Sequence, residues 1–174
     1  IDVPPTLVSF AVDIAQASEM ISPELKNVGS KLFQLKIEKD DYDMPVYEKV
    51  MELYDTIRTL MQKNVIVSAY VLDARGLVAA VSKMAFGNKL GVVFNGHLTS
   101  EELFGNCLGD IVVEVAEGKV VELMNSGMDS LEVGTVCEEP EFIYGEVRIG
   151  LEEALASWQD KLEKVFPTKL SKEI

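Results

Sequence analysis

An α/β (α+β) fold, one mixed sheet with helices packed on one face, is the class this sequence predicts. Three observations predict it. Short apolar, β-branched runs alternate with segments of helical period in the first half of the chain. Later runs follow one another closely, as locally paired strands do. No repeat of fixed period interrupts this order.

Taken in sequence, VPPTLVSFAVD (3–13) opens on a proline pair and continues as an apolar run, a linker followed by a strand. SPELKNVGSK is a turn-rich joint. KLFQLKIEK places Phe33, Leu35 and Ile37 on one face and Gln34, Lys36 and Glu38 on the other, a half-buried strand. DYDMPVYEKVMELYDTIRTLMQKN carries Val46, Val50, Leu53, Ile57 and Leu60 in one helical stripe. Pro45 suits the first turn of that helix, Asp43 its cap, and Lys63-Asn64 its end. VIVSAYV is the next strand. A turn with Asp73, Arg75 and Gly76 leads into an Ala-rich helix over about 76–86, closing at Gly87-Asn88.

LGVVFN is a further strand. TSEELFGN is a short helix with a Thr or Ser cap and acidic first-turn residues. DIVVEVA is apolar almost throughout and is expected near the middle of the sheet. GKVVELMNSG is a short helix ending at Gly127. SLEVGTVCE and EFIYGEVRIG are two strands joined near Glu139-Pro140. The last helix, LEEALASWQDKLEKVF, aligns Leu151, Leu155, Trp158, Leu162 and Phe166, and Pro167 stops it.

With 174 residues, 48% hydrophobic and 26% charged, the chain is globular and of single-domain size. Its 29 acidic against 16 basic residues give a net charge of −13. Such a surface repels phosphate backbones, so nucleic acid is not an expected partner. No apolar run approaches the ~18 residues of a membrane span, and no basic leader precedes an apolar core. A start at Ile1 fits a processed protein or a piece of a longer one. Cys107 and Cys137 lack CxxC spacing and are expected as reduced apolar residues of a cytoplasmic protein.

No P-loop, GxGxxG, HExxH or zinc spacing occurs, so no catalytic residue and no metal ligand is assigned. His97 has no Cys or His companion and is expected at the surface. Asp73 and Arg75, two apart at a strand end, form either a local ion pair or a ligand site. Gly76 would open the helix amides toward an anion. Glu101 and Glu102 are more simply helix-start acids than magnesium ligands, and Trp158 is an anchor for the core or an interface.

Four stretches, VPPTLVSFAV, SPELKNVGSKL, SAYVLDARGLVAAVSKMAFGNKLGV and SEELFGNCLGDIVVEV, together resemble a known family in order and spacing. They resemble the final synthetase subdomain of phosphoribosylformylglycinamidine synthase, of the large single-chain type. That subdomain belongs to the superfamily of aminoimidazole ribonucleotide synthetase, whose C-terminal-type α/β domain is the fold implied. Selenophosphate synthetase is related but less similar.

The resemblance implies a ligase that converts formylglycinamide ribonucleotide to the amidine with ATP, magnesium and ammonia from glutamine. It also implies a division of this chain. Residues 1–30 would be a linker and a strand belonging to the preceding ATP-binding half. Residues 31–150 would be the α/β domain, and 151–174 a helix and linker toward a glutaminase domain. The implied partners are that ATP-binding half, a pseudo-twofold second copy and the glutaminase. ATP and magnesium are implied for the full enzyme and no cofactor for this chain alone. A dimer through the orphan strand 5–12 is a further expectation.

Family members commonly carry a His-Asp-x-Ser-Asp-Gly-Gly-Leu turn where this chain reads YVLDARGL. Tyr70 stands for the His, Asp73 for the Ser and Arg75 for the first Gly, and only Gly76 and Leu77 remain. A later Leu-Phe-x-Glu becomes LFGN, with Asn106 for the Glu. The resemblance therefore implies a largely structural copy, with Tyr70, Asp73, Arg75, Gly76 and Asn106 as the residues of any residual substrate site. A non-catalytic scaffold or interaction module is the alternative.

Overall fold

The computed structural model describes residues 7–161 and Val165. Seven strands form one mixed sheet: β1 (Lys31–Leu35), β2 (Ile66–Val71), β3 (Gly91–Phe94), β4 (Ile111–Val115), β5 (Ser130–Cys137), β6 (Glu141–Tyr144) and β7 (Val147–Gly150). Their order across the sheet is β2-β4-β1-β5-β3-β6-β7. The β3–β6 pair is parallel and every other pair is antiparallel. The helices are α1 (Tyr47–Gln62), α2 (Gly76–Asn88), α3 (Ser100–Phe104), α4 (Val120–Met124) and α5 (Leu151–Gln159). The α/β class with a mixed sheet is thus the one expected.

The layering is richer than one covered face. Leu77, Val81 and Met84 of α2 pack with Leu32, Val112 and Val133 on one side, where Leu103 of α3 and Leu151 of α5 join them. Leu53, Ile57 and Leu60 of α1 and Leu123 of α4 pack with Phe33, Val113 and Val115 on the other. The cause is the pair of inner strands. β4 is buried at all five positions, and β1 at every position but its first. A strand apolar on both faces needs a cover on both. β1 is accordingly not half-buried: Gln34, expected on an open face, is enclosed at 4% exposure.

Three local expectations are corrected. Helix α1 begins at Tyr47 with Val46 as an N-cap lacking a side-chain bond, so Pro45 and Asp43 lie outside it. The chain first closes a loop through a Lys39–Pro45 bridge and the Val46 N–H donated to Glu38 O (2.9 Å). Asp43 sits at φ 61° and pairs with Lys39 at 3.2 Å. EFIYGEVRIG is not one strand but the β6–β7 hairpin, turned at Gly145 with φ 57°, a value cheap for glycine alone. Residues 7–13 form no strand, and Leu7, Phe10 and Val12 are exposed; no strand among the described residues pairs with them. Pro5, Thr6, Leu162, Phe166 and Pro167 lie outside the described residues.

The stretch 1–30, read as linker and orphan strand, divides in two. Its later part is docked on the sheet. Leu25 is fully buried, and its N–H donates to Met84 O at 3.1 Å. Beneath it lies Glu114 of β4, at 0% exposure, whose carboxylate accepts from Lys26 N (2.7 Å), Asn27 N (2.9 Å) and Ser30 Oγ (2.6 Å). A buried charge is tolerated only when its lone pairs are met in this way. At the other end, Trp158 of α5 stacks on Phe86 of α2, ring centres 5.8 Å apart. Among the described residues no helix is long and apolar enough to cross a membrane.

Candidate functional site

Strand β2 ends at Val71 and α2 starts at Gly76, so Leu72–Arg75 crosses from sheet to helix at a strand end. Leu72 is buried and pins the crossing: its N–H donates to Asp110 O (2.7 Å), and Gly109 N–H donates to Leu72 O (3.1 Å). Gly76 adopts φ +81°, and a Cβ there would stand 2.9 Å from Gly105 O and from Phe104 C. The residue is glycine for both reasons, left-handed backbone and close approach by the end of α3. It holds two segments together and leaves no open cradle beside it.

Asp73 and Arg75 pair with each other. Arg75 Nε donates to Asp73 Oδ2 (3.0 Å) and Oδ1 (3.2 Å), Arg75 Nη2 donates to Oδ2, and Arg75 N donates to Oδ1 (2.9 Å). The side-chain bond from Arg75, then its backbone bond, holds the Asp73 carboxyl well below the usual carboxylate range. The same bond raises the guanidinium further. Lys83, two turns along α2, reaches Asp73 at 3.6 Å and donates to Tyr70 Oη at 3.1 Å, its nitrogen 5.3 Å from that ring's centre. Tyr70, Asp73, Arg75 and Lys83 are therefore one cluster.

Asn106 follows Gly105, which abuts Gly76, and makes no hydrogen bond to that cluster. It is exposed, accepts from Leu108 N at 3.1 Å, and lines a cavity of about 260 Å³ with Gln34, Lys36, Lys39 and Cys107. None of Tyr70, Asp73, Arg75 or Gly76 lines that cavity. On its wall, Asp110 accepts from Gln34 Nε2 (2.7 Å) and Ile37 N (3.0 Å), while Gln34 Oε1 is buried without a donor. The Cys107 thiol is half-buried, donates to Gly105 O at 3.2 Å, and has its pKa pushed up by burial and then by Asp110. Burial also raises Cys137.

Lys83 and Gln34 were not singled out in the sequence. Lys83 is the only charged side chain between Gly76 and Asn88, and that isolation was the available signal. Glu102 completes a capping box with Thr99: its Oε2 accepts from Thr99 N (2.7 Å) and Oγ1 (2.9 Å), while Thr99 Oγ1 accepts from Glu102 N (3.2 Å). Glu101 and His97 are exposed. Among the described residues no group of three or more His, Cys, Asp or Glu is placed to hold a metal ion.

The mixed sheet with its covering helices matches the fold of solved synthase and kinase structures, a fold of the aminoimidazole ribonucleotide synthetase type. Two solved structures from Thermotoga maritima carry the particular likeness. One is phosphoribosylformylglycinamidine synthase II, with a TM-score of 0.64, 13% identity, and 79% of this chain aligned to 28% of that one. The other is the assembly named PurLQS, at 0.65 and 13%, with 82% of this chain on 28% of that one. The thiamine-monophosphate kinase of Stenotrophomonas maltophilia aligns at 0.50 and 8%, over 75% of this chain and 54% of that one. The chain thus spans little more than a quarter of the length of the synthase structures it matches. No family model and no curated protein sequence matches it.

Proposed function

We propose that this chain is a C-terminal-type α/β domain of a formylglycinamide ribonucleotide amidine ligase, and that its own turn has no catalytic role. One observation carries the second half of the reading: both Asp73 oxygens are engaged by Arg75. Asp73 and Arg75, each engaged by the other, would have to part before either met a substrate. The first half is supported by the fold and by the Thermotoga maritima PurL structures that share it, solved with ATP, with ADP and with FGAR. Magnesium finds no donor set of three or more acidic, His or Cys side chains among the described residues, and no reaction step is assigned to it in this domain. On this reading ATP and magnesium belong to the ATP-binding half, and ammonia comes from a glutaminase domain. Cytoplasmic location is part of the same proposal.

Turnover is the direct test: the 174-residue chain is incubated with ATP, magnesium, ammonium and formylglycinamide ribonucleotide. No ADP release above background is expected, and substrate-dependent turnover overturns the inactive reading. Calorimetric titration with the ribonucleotide and with ADP, to millimolar concentration, examines residual binding. Saturable heat abolished by Arg75→Ala would establish a residual site at Tyr70, Asp73 and Arg75. Silence at millimolar ligand would favour a scaffold. The kinase neighbour at a TM-score of 0.50 keeps a second reading in view, the equivalent domain of another ATP-dependent synthetase such as selenophosphate synthetase. Heat with a different nucleotide substrate and none with the formylglycinamide compound would select it.

A further inference from the structure

The outward face of α1 is unusual for a surface helix. Tyr47, Met51 and Tyr54 recur at i, i+4 and i+7, the spacing of one helical face. They are 67%, 60% and 45% exposed. The core is met by a different face of the helix, that of Leu53, Ile57 and Leu60. Tyr42 and Met44, in the loop before α1, are also exposed. At the other end Tyr54 opens on a cavity of about 520 Å³ between α1 and the segment 13–20, lined with it by Met61, Ile14 and Met20 and, on its polar side, by Arg58, which is paired with Glu19 at 3.1 Å. An apolar stripe that leads to a cavity marks a contact surface more strongly than scattered exposed side chains do.

The charges beside the stripe say what would cover it. Residues 38–55 hold seven acids against two lysines. Both lysines are paired locally, Lys39 with Asp43 and Lys49 with Glu52. Asp41, Glu48 and Asp55 are exposed and have no ion pair among the described residues. On a helix turning about 100° per residue, Glu48 and Asp55 fall side by side along one flank of Tyr47, Met51 and Tyr54. A second copy of this chain would bring the same acids and a net charge of −13 against it. Phosphate surfaces are repelled likewise.

We propose that this stripe is the docking surface for a basic amphipathic helix of a partner protein. The partner lays Leu- or aromatic-type anchors along Tyr47, Met51 and Tyr54 and seats one of them in the cavity beyond Tyr54. Its Lys or Arg residues face Asp41, Glu48 and Asp55. Methionine suits such a surface because its unbranched side chain adapts to the incoming shape. The stripe lies on the sheet face opposite α2, away from the turn discussed above.

The experiment is fluorescence anisotropy of the 174-residue chain with a labelled synthetic peptide of about 18 residues, leucine on one helical face and lysine on the other. A peptide of the same composition in scrambled order is the control. The ordered peptide is expected to bind saturably and at least about tenfold more tightly than the scrambled one. Met51→Ser with Tyr54→Ser should weaken it by about tenfold or more. Glu48→Lys should weaken it several-fold and flatten its salt dependence, whereas Val121→Ser, on the exposed side of α4, should change nothing. All four positions are exposed, and circular dichroism checks that each variant is folded. Equal binding of the scrambled peptide, or no effect of the Met51/Tyr54 pair, overturns the proposal. A concentration-dependent dimer in sedimentation velocity that Tyr54→Ser abolishes overturns it too, by giving the stripe to a second copy.

Discussion

Asp73 and Glu114 are two carboxylates in two different states. Asp73 lies at the surface, answered by a mobile type of side chain, Arg75, two residues away. Glu114 lies under the sheet's cover, answered by two backbone amides and a hydroxyl from a segment more than eighty residues distant in sequence. The first pairing closes no loop of any length and excludes no water. The second ties residues 26–30 to an inner strand. Proximity to a strand end singles out Asp73 in the sequence, whereas Glu114 is the carboxylate that is fully buried and met by three donors.

The largest expected effect lies on the buried side of that contrast. Glu114→Ala leaves two amides and the Ser30 hydroxyl without their acceptor and should destabilise the protein by roughly 3 kcal/mol in urea unfolding. A loss near zero would mean that water replaces the carboxylate and that the contrast is one of position only. Gly76→Ala comes next, at about 2 kcal/mol, from left-handed strain and displacement of the end of α3. An unchanged midpoint would show that α3 can retreat from the turn. Thr99→Ala removes the capping box of α3 and should cost about 1 kcal/mol. Asp73→Asn should leave the unfolding midpoint where it is.

Acid sharpens the comparison further. Asp73 has its folded pKa depressed by Arg75 below the ordinary 3.8. The carboxylate is therefore charged and paired above that ordinary value, and the pair opens only as pH falls through the lower folded one. The amide proton of Arg75, which donates to Asp73 Oδ1, should show no chemical-shift inflection near pH 3.8 in an NMR titration. An inflection there would mean that the pair is open in solution and that Arg75 is available to a ligand.

Much of this was legible in the chain and some was not. The stripe Leu53, Ile57, Leu60 and the unbroken apolar run of β4 carry their burial in their spacing. Gln34 misled because alternation around Phe33 and Leu35 looks the same whether the second face meets water or other protein. Asp43 and Pro45 are good helix-start residues defeated by a loop that closes first. The Gly145 turn is a lone glycine between two short runs of β-formers, with no Asn, Asp or Pro beside it to mark a hairpin. The cluster at the turn was half visible: Asp73 and Arg75 are neighbours in sequence, whereas Lys83 reaches Tyr70 only once α2 lies back along β2. Glu114 could not be assigned a partner, because two of its donors are main-chain amides that leave no mark in the sequence and the third, the Ser30 hydroxyl, lies 84 residues away.

The place of β1 has a consequence for how the chain comes to be folded. Phe33 is registered against Val113 on one side and Glu132 on the other. The inner ladder of the sheet therefore cannot close until a large part of the chain has been synthesised. Helix α1 and the segment around α2 can form early from local contacts, whereas the middle of the sheet must wait for distant sequence to arrive. During that wait β1 is an unpaired apolar strand with two open edges, the state in which such a strand is most exposed to capture by another chain. Assembly of this domain is thus paced by its last strands, and C-terminal shortening into β5 would remove the partner that completes its first.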